Sequence, residues 1–79
     1  MTLLSKNDLD HLRAAQLLGR PLKLERTLGD CTITASVIPG DAVWGQDWLF
    51  QVRQTKPGCE RIKTCRQIET VAELAAEDW

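Results

Sequence analysis

The side chains in this chain with the most evident chemistry are basic, and five of them lie in the segment 53–66 (RQTKPGCERIKTCR). That segment holds one acid, in a chain whose formal net charge is −1. Folded as a β-hairpin with a three-residue loop, it places Arg53 opposite Arg61 on an exposed face that also carries Lys63. Like charges opposite one another destabilise a sheet, so an anionic partner explains the grouping better than folding does. The candidate partner-binding residues of this segment are Arg53, Lys56, Arg61, Lys63 and Arg66.

Two alternatives remain open for the basic segment. If Pro57-Gly58 alone forms a type II turn, the register slips by one residue and Lys63 turns toward the core, so we expect the longer loop. Basic side chains are also typical of a solvated sheet face, where they protect an edge from aggregation.

Trp44 is a further candidate for partner binding. It lies next to Gly45, between two predicted strands. Tryptophan is enriched in interface hot spots and can stack on unpaired bases. Trp48, by contrast, has the alternation expected of a core residue in the following strand.

Histidine and cysteine form no catalytic or metal-binding pattern in the sequence. His11 is the one histidine, and Cys31, Cys59 and Cys65 lack the close pairs typical of zinc sites. One histidine, two serines and no tyrosine offer no convergent set of groups for acid–base or nucleophilic catalysis. We therefore expect a non-enzymatic protein without a metal ion or cofactor. The odd number of cysteines favours reduced thiols, although a Cys59–Cys65 bridge across the predicted hairpin remains an alternative.

Size and composition indicate one small globular domain, residues 1–79. Hydrophobic residues make up 43% of the chain and charged residues 27%, which is typical of a folded protein. The pI of about 5.7 argues against a general nucleic-acid coat. The sequence shows neither a signal peptide nor a membrane-spanning stretch, so we expect a cytoplasmic protein. Acids follow the basic segment directly, which predicts a basic and an acidic end of the molecule: Glu69, Glu73, Glu77 and Asp78.

Capping patterns predict a helix near each end of the chain. Ser5 with Asp8 indicates a first helix over about 6–18, and Thr70 with Glu73 indicates a short C-terminal helix. Apolar positions recur in the first helix at helical spacing: Leu9, Leu12, Ala15 and Leu18.

The segment 22–37 predicts a β-hairpin. Leu28-Gly29-Asp30-Cys31 is typical of a type II′ turn, which would place Leu24 opposite Ala35. In that register one face is apolar except for Arg26, and the other face is polar. With the second hairpin, the predicted fold is α+β: an antiparallel four-stranded sheet (two hairpins) with an N-terminal and a C-terminal helix packed on one face.

In size, pI, hairpin-and-helix layout and lack of catalytic residues, the whole chain resembles the small phage-encoded anti-CRISPR proteins that block type I interference complexes. Those proteins share no common motif, so the resemblance carries no residue across. It implies a stoichiometric inhibitor in the cytosol of a bacterial host, a monomer or weak dimer that occupies a nucleic-acid-binding surface of a type I CRISPR-Cas complex. The basic hairpin would then meet acidic patches on the complex, and the acidic helix would meet its basic grooves.

The alternative is a small nucleic-acid-binding domain that uses the Arg53–Arg66 hairpin. The order of elements resembles double-stranded-RNA-binding domains, and a sheet with a C-terminal helix is similar to the arm-binding domains of phage integrases. The chain departs from the RNA-binding pattern by one additional strand, and by Glu69 and Glu73 where basic residues are expected.

Overall fold

The computed structural model describes residues 4–40 and 48–76. Four strands form one antiparallel sheet in the order β1-β2-β3-β4, and two helices cover one of its faces. The α+β architecture predicted from the sequence is therefore confirmed. No helix within the described ranges is long and apolar enough to cross a membrane. The elements are α1 (Lys6–Leu18), β1 (Leu22–Leu28), β2 (Cys31–Pro39), β3 (Trp48–Lys56), β4 (Cys59–Cys65) and α2 (Ile68–Ala76).

The β1–β2 hairpin has the predicted register, with Leu24 opposite Ala35 and Leu28 opposite Cys31. Gly29 adopts a φ of 61°, as the first central position of a type II′ turn requires. The apolar face of this hairpin packs toward the helices, while its threonines and Ser36 lie on the opposite, open face.

Helix α1 begins with the predicted capping box. The Asp8 N–H donates to Ser5 Oγ, and the Ser5 N–H donates to Asp8 Oδ2, each over 3.1 Å. The helix ends at Gly19, whose φ of 66° lies in the left-handed region. A Cβ at Gly19 would lie 3.1 Å from Nε1 of Trp48, so the absence of a side chain lets the helix end approach that ring closely.

The core lies between the sheet and the two helices, which run in opposite directions. Asp8, near the start of α1, accepts a hydrogen bond from Arg26 of β1. Gln16, near the end of α1, donates hydrogen bonds to the carbonyls of Trp48 and Arg66. Helix α2 starts just after Arg66, and the carbonyl of Leu74 near its end accepts a hydrogen bond from Gln54 of β3. The buried hydrophobic residues are Leu4, Leu12, Ala15, Ile33, Ala35, Val37, Phe50, Val52, Val71, Leu74 and Ala75.

Helix α2 starts earlier than the sequence predicts. The Gln67 carbonyl accepts hydrogen bonds from the N–H groups of Thr70 and Val71, so Gln67 stands at the helix start and Thr70 lies within the first turn. The predicted capping box of Thr70 and Glu73 is therefore wrong. Ile68, in that first turn, packs against the core, and its burial favours the longer helix.

Candidate partner-binding surfaces

The β3–β4 hairpin closes with the two-residue turn that the sequence analysis set aside. Lys56 lies opposite Cys59, and Gly58 adopts a φ of 76°, as the second central position of a type II turn requires. Arg53 consequently lies opposite Ile62, not opposite Arg61. The predicted three-residue loop is wrong, and every side chain of β4 is on the other face from the one expected.

The observed register divides the side chains of the predicted basic face between the two faces of the sheet. Arg53 lies on the open face of the sheet, where its guanidinium is 3.8 Å from the carboxylate of Glu60. Arg61 and Lys63 lie on the face that carries the helices, opposite Gln54 and Val52. The shorter loop does not bury Lys63, because β4 is an edge strand and the side chain remains exposed.

Arg61 belongs to a polar anchor for helix α2. Its Nε donates to Oε1 of Gln54 over 2.9 Å, and its Nη2 donates to the same oxygen. The Gln54 amide, 4% exposed, donates in turn to the carbonyl of Leu74 over 2.7 Å. Gln54 therefore joins β3, β4 and the last turns of α2. Gln54 is not among the residues predicted to be functional, although a glutamine two positions after inward-facing Val52 is a signal of a buried polar contact.

A second polar anchor joins α1 to β1. Arg26 Nη2 donates to Asp8 Oδ1 over 2.9 Å, and Nε donates to Oδ2 over 3.2 Å. This pair accounts for the one charged residue on the apolar face of the first hairpin. Burial alone would raise the pKa of Asp8, but the hydrogen bonds from Arg26 and Ser5 outweigh it and hold the pKa below 3.8.

The other candidates of the basic segment are engaged with the rest of the protein. Lys56 is half-buried at the end of β3, and both Lys56 and Arg66 interact with other groups of the protein. The Arg66 carbonyl accepts a hydrogen bond from the Gln16 amide over 2.9 Å. Trp44 lies outside the described residues.

The cysteines are free thiols. Cys59 and Cys65 lie on the same strand, about 20 Å apart by strand geometry, so a bridge across the hairpin is excluded. Burial raises the pKa of the Cys65 thiol above its ordinary 9.0, which lowers its reactivity. Within the described ranges, histidine, cysteine and acidic side chains form no group of three that could hold a metal ion.

A groove of about 300 Å³ lies between the end of α1 and the start of α2. Two neighbouring leucines border this end of the molecule, Leu17 at 74% exposure and Leu18 at 67%. Arg13 lies in the groove wall, 3.9 Å from the carboxylate of Glu69. We call this region the leucine groove; it is lined by Arg13, Gln16, Leu17, Arg66, Gln67, Ile68 and Glu69, and the exposed Leu18 follows Leu17 in the helix.

The sequence predicts Leu18 on the apolar stripe of α1, but in the structure this residue is exposed. With 3.6 residues per turn, each step of three residues falls about 60° short of a full circle. Residues three apart therefore rotate gradually around the helix. Leu12 and Ala15 face the sheet and are buried, whereas Leu18 at the end of the series points away from the sheet.

Comparisons of the chain with protein-family models, with curated proteins and with solved structures found no match.

Proposed function

We propose that the chain is a non-enzymatic binding protein that contacts a partner protein through the leucine groove. The observation that carries this proposal is Leu17, which lines that groove and is 74% exposed; Leu18, the next residue of the helix, is 67% exposed. A single exposed leucine is ordinary, but two in succession, one of them lining a concave surface with a polar rim, favour an interaction site.

The charge of the groove defines the chemistry of the partner. Arg13 and Arg66 flank the apolar side chains, and Glu69 supplies one acid. A fitting partner presents apolar side chains flanked by carboxylates. Such a surface buries Leu17 and forms charge-assisted hydrogen bonds with the Arg13 guanidinium group. The Arg13–Glu69 pair is solvent-exposed, so its rearrangement on binding costs little.

The finer proposal is that this partner belongs to a host complex that handles nucleic acid, such as a type I CRISPR-Cas surveillance complex. The protein would act as a stoichiometric cytoplasmic inhibitor that occupies the nucleic-acid-binding surface. The resemblance in size, pI and layout to small anti-CRISPR proteins supports this assignment. So does the absence of a catalytic pattern in the sequence, since blocking requires contact and no chemistry.

The test uses a purified type I complex, a fluorescent target DNA and increasing amounts of the protein. We expect DNA binding to be lost near one equivalent of inhibitor. The double change Leu17→Gln and Leu18→Gln keeps helix propensity and should remove the inhibition. The matched control is Ile62→Gln, which makes the same kind of change at a comparably exposed residue on the open face of the sheet. Full DNA binding at tenfold excess of wild type would refute the assignment to this complex, and inhibition by the double variant would refute the leucine groove.

One observation favours nucleic-acid binding as a second candidate function. The observed register places Lys56, Arg61 and Lys63 on the same side of the β3–β4 hairpin. A positive edge of this kind can follow a phosphate backbone. If it does, duplex DNA or RNA should bind with an affinity that falls steeply with salt, and Lys63→Glu should weaken binding by about tenfold. If Lys63→Glu binds nucleic acid as tightly as wild type, this edge is not the nucleic-acid-binding site.

A further inference from the structure

Strand β1 is one of the two edge strands of the sheet. It pairs with β2 in an unbroken register from Leu22 to Leu28, without a bulge or an internal proline. Because β1 is the first strand in the sheet order, its side away from β2 has no neighbouring strand among the described residues. Native proteins usually blunt such an edge with bulges, prolines or charged side chains. On the open face the charges of β1 are Lys23 and Glu25, which are opposite in sign. The one inward-facing charge of β1, Arg26, is bound to Asp8.

The turn determines which backbone groups of β1 face outward. A two-residue turn makes Leu28 and Cys31 a hydrogen-bonded pair, and the pairs of an antiparallel ladder alternate from there. The N–H and C=O groups of Lys23, Glu25 and Thr27 therefore point away from β2. The side chains of these same residues lie on the open face of the sheet.

We propose that β1 pairs with β1 of a second copy of this chain, antiparallel and centred on Leu24, to form a continuous eight-stranded sheet. In this register Lys23 lies opposite Glu25 of the second copy, and Glu25 lies opposite its Lys23. Both pairs fall at positions whose backbone groups face outward, so each pair exchanges two hydrogen bonds and also brings opposite charges together.

Neighbouring registers lack this complementarity. Centring the pairing on Glu25 places two glutamates opposite one another, and centring it on Lys23 places two lysines opposite one another. Centring it on Arg26 opposes two arginines. The spacing of charge along β1 is thus self-complementary in one register, which is what a two-fold symmetric interface requires.

The helix-bearing side of β1 also accommodates a second copy. Leu24 is half-buried on that side and would contact Leu24 of the second copy in a close, non-hydrogen-bonded pair. Helix α1 contacts β2 and β3 more than it contacts β1, so it lies toward the centre of the sheet. Strand β4 fits this role poorly, because Arg61 and Lys63 face inward along that edge.

The experiment is a charge exchange followed by sedimentation equilibrium on the full chain. Wild type should self-associate, whereas Lys23→Glu and Glu25→Lys should each weaken self-association by at least about tenfold. When the two single variants are mixed, each Glu–Glu surface meets a Lys–Lys surface, so a heterodimer should form. The double variant, which carries both changes, should dimerise like wild type. Circular dichroism verifies the fold of each variant.

Two control variants make the outcome decisive. Glu73→Lys makes the same change on the exposed face of α2 and should leave self-association unchanged. The Leu17→Gln and Leu18→Gln double variant should also dimerise like wild type, which separates this proposal from the leucine groove. A wild type that stays monomeric at millimolar concentration would overturn the proposal. So would single variants that do not complement one another, or dimerisation that depends on the leucines.

Discussion

The two hairpins of the sheet are closed by turns of equal length, yet their outer strands differ. In the first, Gly29 occupies the first central turn position, and leucines of β1 face the helices. In the second, Gly58 occupies the second central position, and Arg61 and Lys63 of β4 face the helices. The difference teaches that an edge strand can carry inward-facing charges when these reach solvent or a buried polar acceptor.

Each hairpin also anchors one helix through an arginine, and the two acceptors differ in chemistry. Arg26 of the first hairpin binds the carboxylate of Asp8, whereas Arg61 of the second binds the neutral amide of Gln54. Both acceptors are nearly excluded from solvent. The first anchor should therefore depend on pH and the second should not.

The largest difference in stability is expected when one isoleucine of each hairpin is changed to aspartate. Ile33 of β2 is 0% exposed, so Ile33→Asp places an unpaired charge in the core. Such a charge costs several kcal/mol, comparable with the ~5 kcal/mol stability of a small domain, and the protein should unfold. Ile62 of β4 is 46% exposed and lies opposite Arg53, so Ile62→Asp should cost about 1 kcal/mol or less. Urea denaturation measures both; equal losses would contradict the assigned faces.

Removal of each anchoring arginine should give the next largest effect. Arg26→Ala leaves the buried Asp8 carboxylate without its cation and should cost about 2 kcal/mol. Arg61→Ala leaves a neutral amide oxygen that water can reach at the sheet edge, so about 1 kcal/mol is expected. The exposed Arg13→Ala serves as the control and should cost a few tenths of a kcal/mol. If Arg61→Ala lost more stability than Arg26→Ala, the neutral anchor would be the stronger of the two, contrary to this expectation.

The pH dependence should separate the two anchors more sharply. The pKa of Asp8 is lower in the folded protein than in the unfolded chain. The ionised Asp8 carboxylate therefore stabilises the fold above pH 3.8, and this stabilisation is lost as the pH falls below that value. In Arg26→Ala the pKa of Asp8 should rise relative to wild type, because burial remains and the cation is gone. The destabilisation by Arg26→Ala should therefore shrink in acid. The destabilisation by Arg61→Ala should stay constant there, since Gln54 does not titrate; denaturation at pH 7 and pH 3 tests both expectations.

The first hairpin could be predicted from sequence because its turn residues and its apolar alternation favour the same register. The second could not, because its charged residues alternate on both faces and only the tertiary position of β4 decides that Lys63 can point inward. The anchors at Asp8 and Gln54 depend on partners 18 and 20 residues away, which local spacing does not reveal. The predicted basic face is divided because the two-residue turn shifts the register of β4 by one residue. The leucine groove forms where the end of α1 meets the start of α2, which the sequence does not bring together.

The smallest effect on stability, and the sharpest test of the two edges, should come from Lys63→Val. Valine would extend the apolar row beside Val52 and suits a strand, so stability should change by about 0.5 kcal/mol or less. The same change removes an inward-facing charge from the β4 edge and should increase salt-insensitive self-association, measured by light scattering. Thr64→Val, a similar change on the open face of the same strand, is the matched control and should not associate further. If Lys63→Val remains as monodisperse as Thr64→Val, the inward-facing charge does not protect β4, and the contrast between the two edges must lie in their backbones.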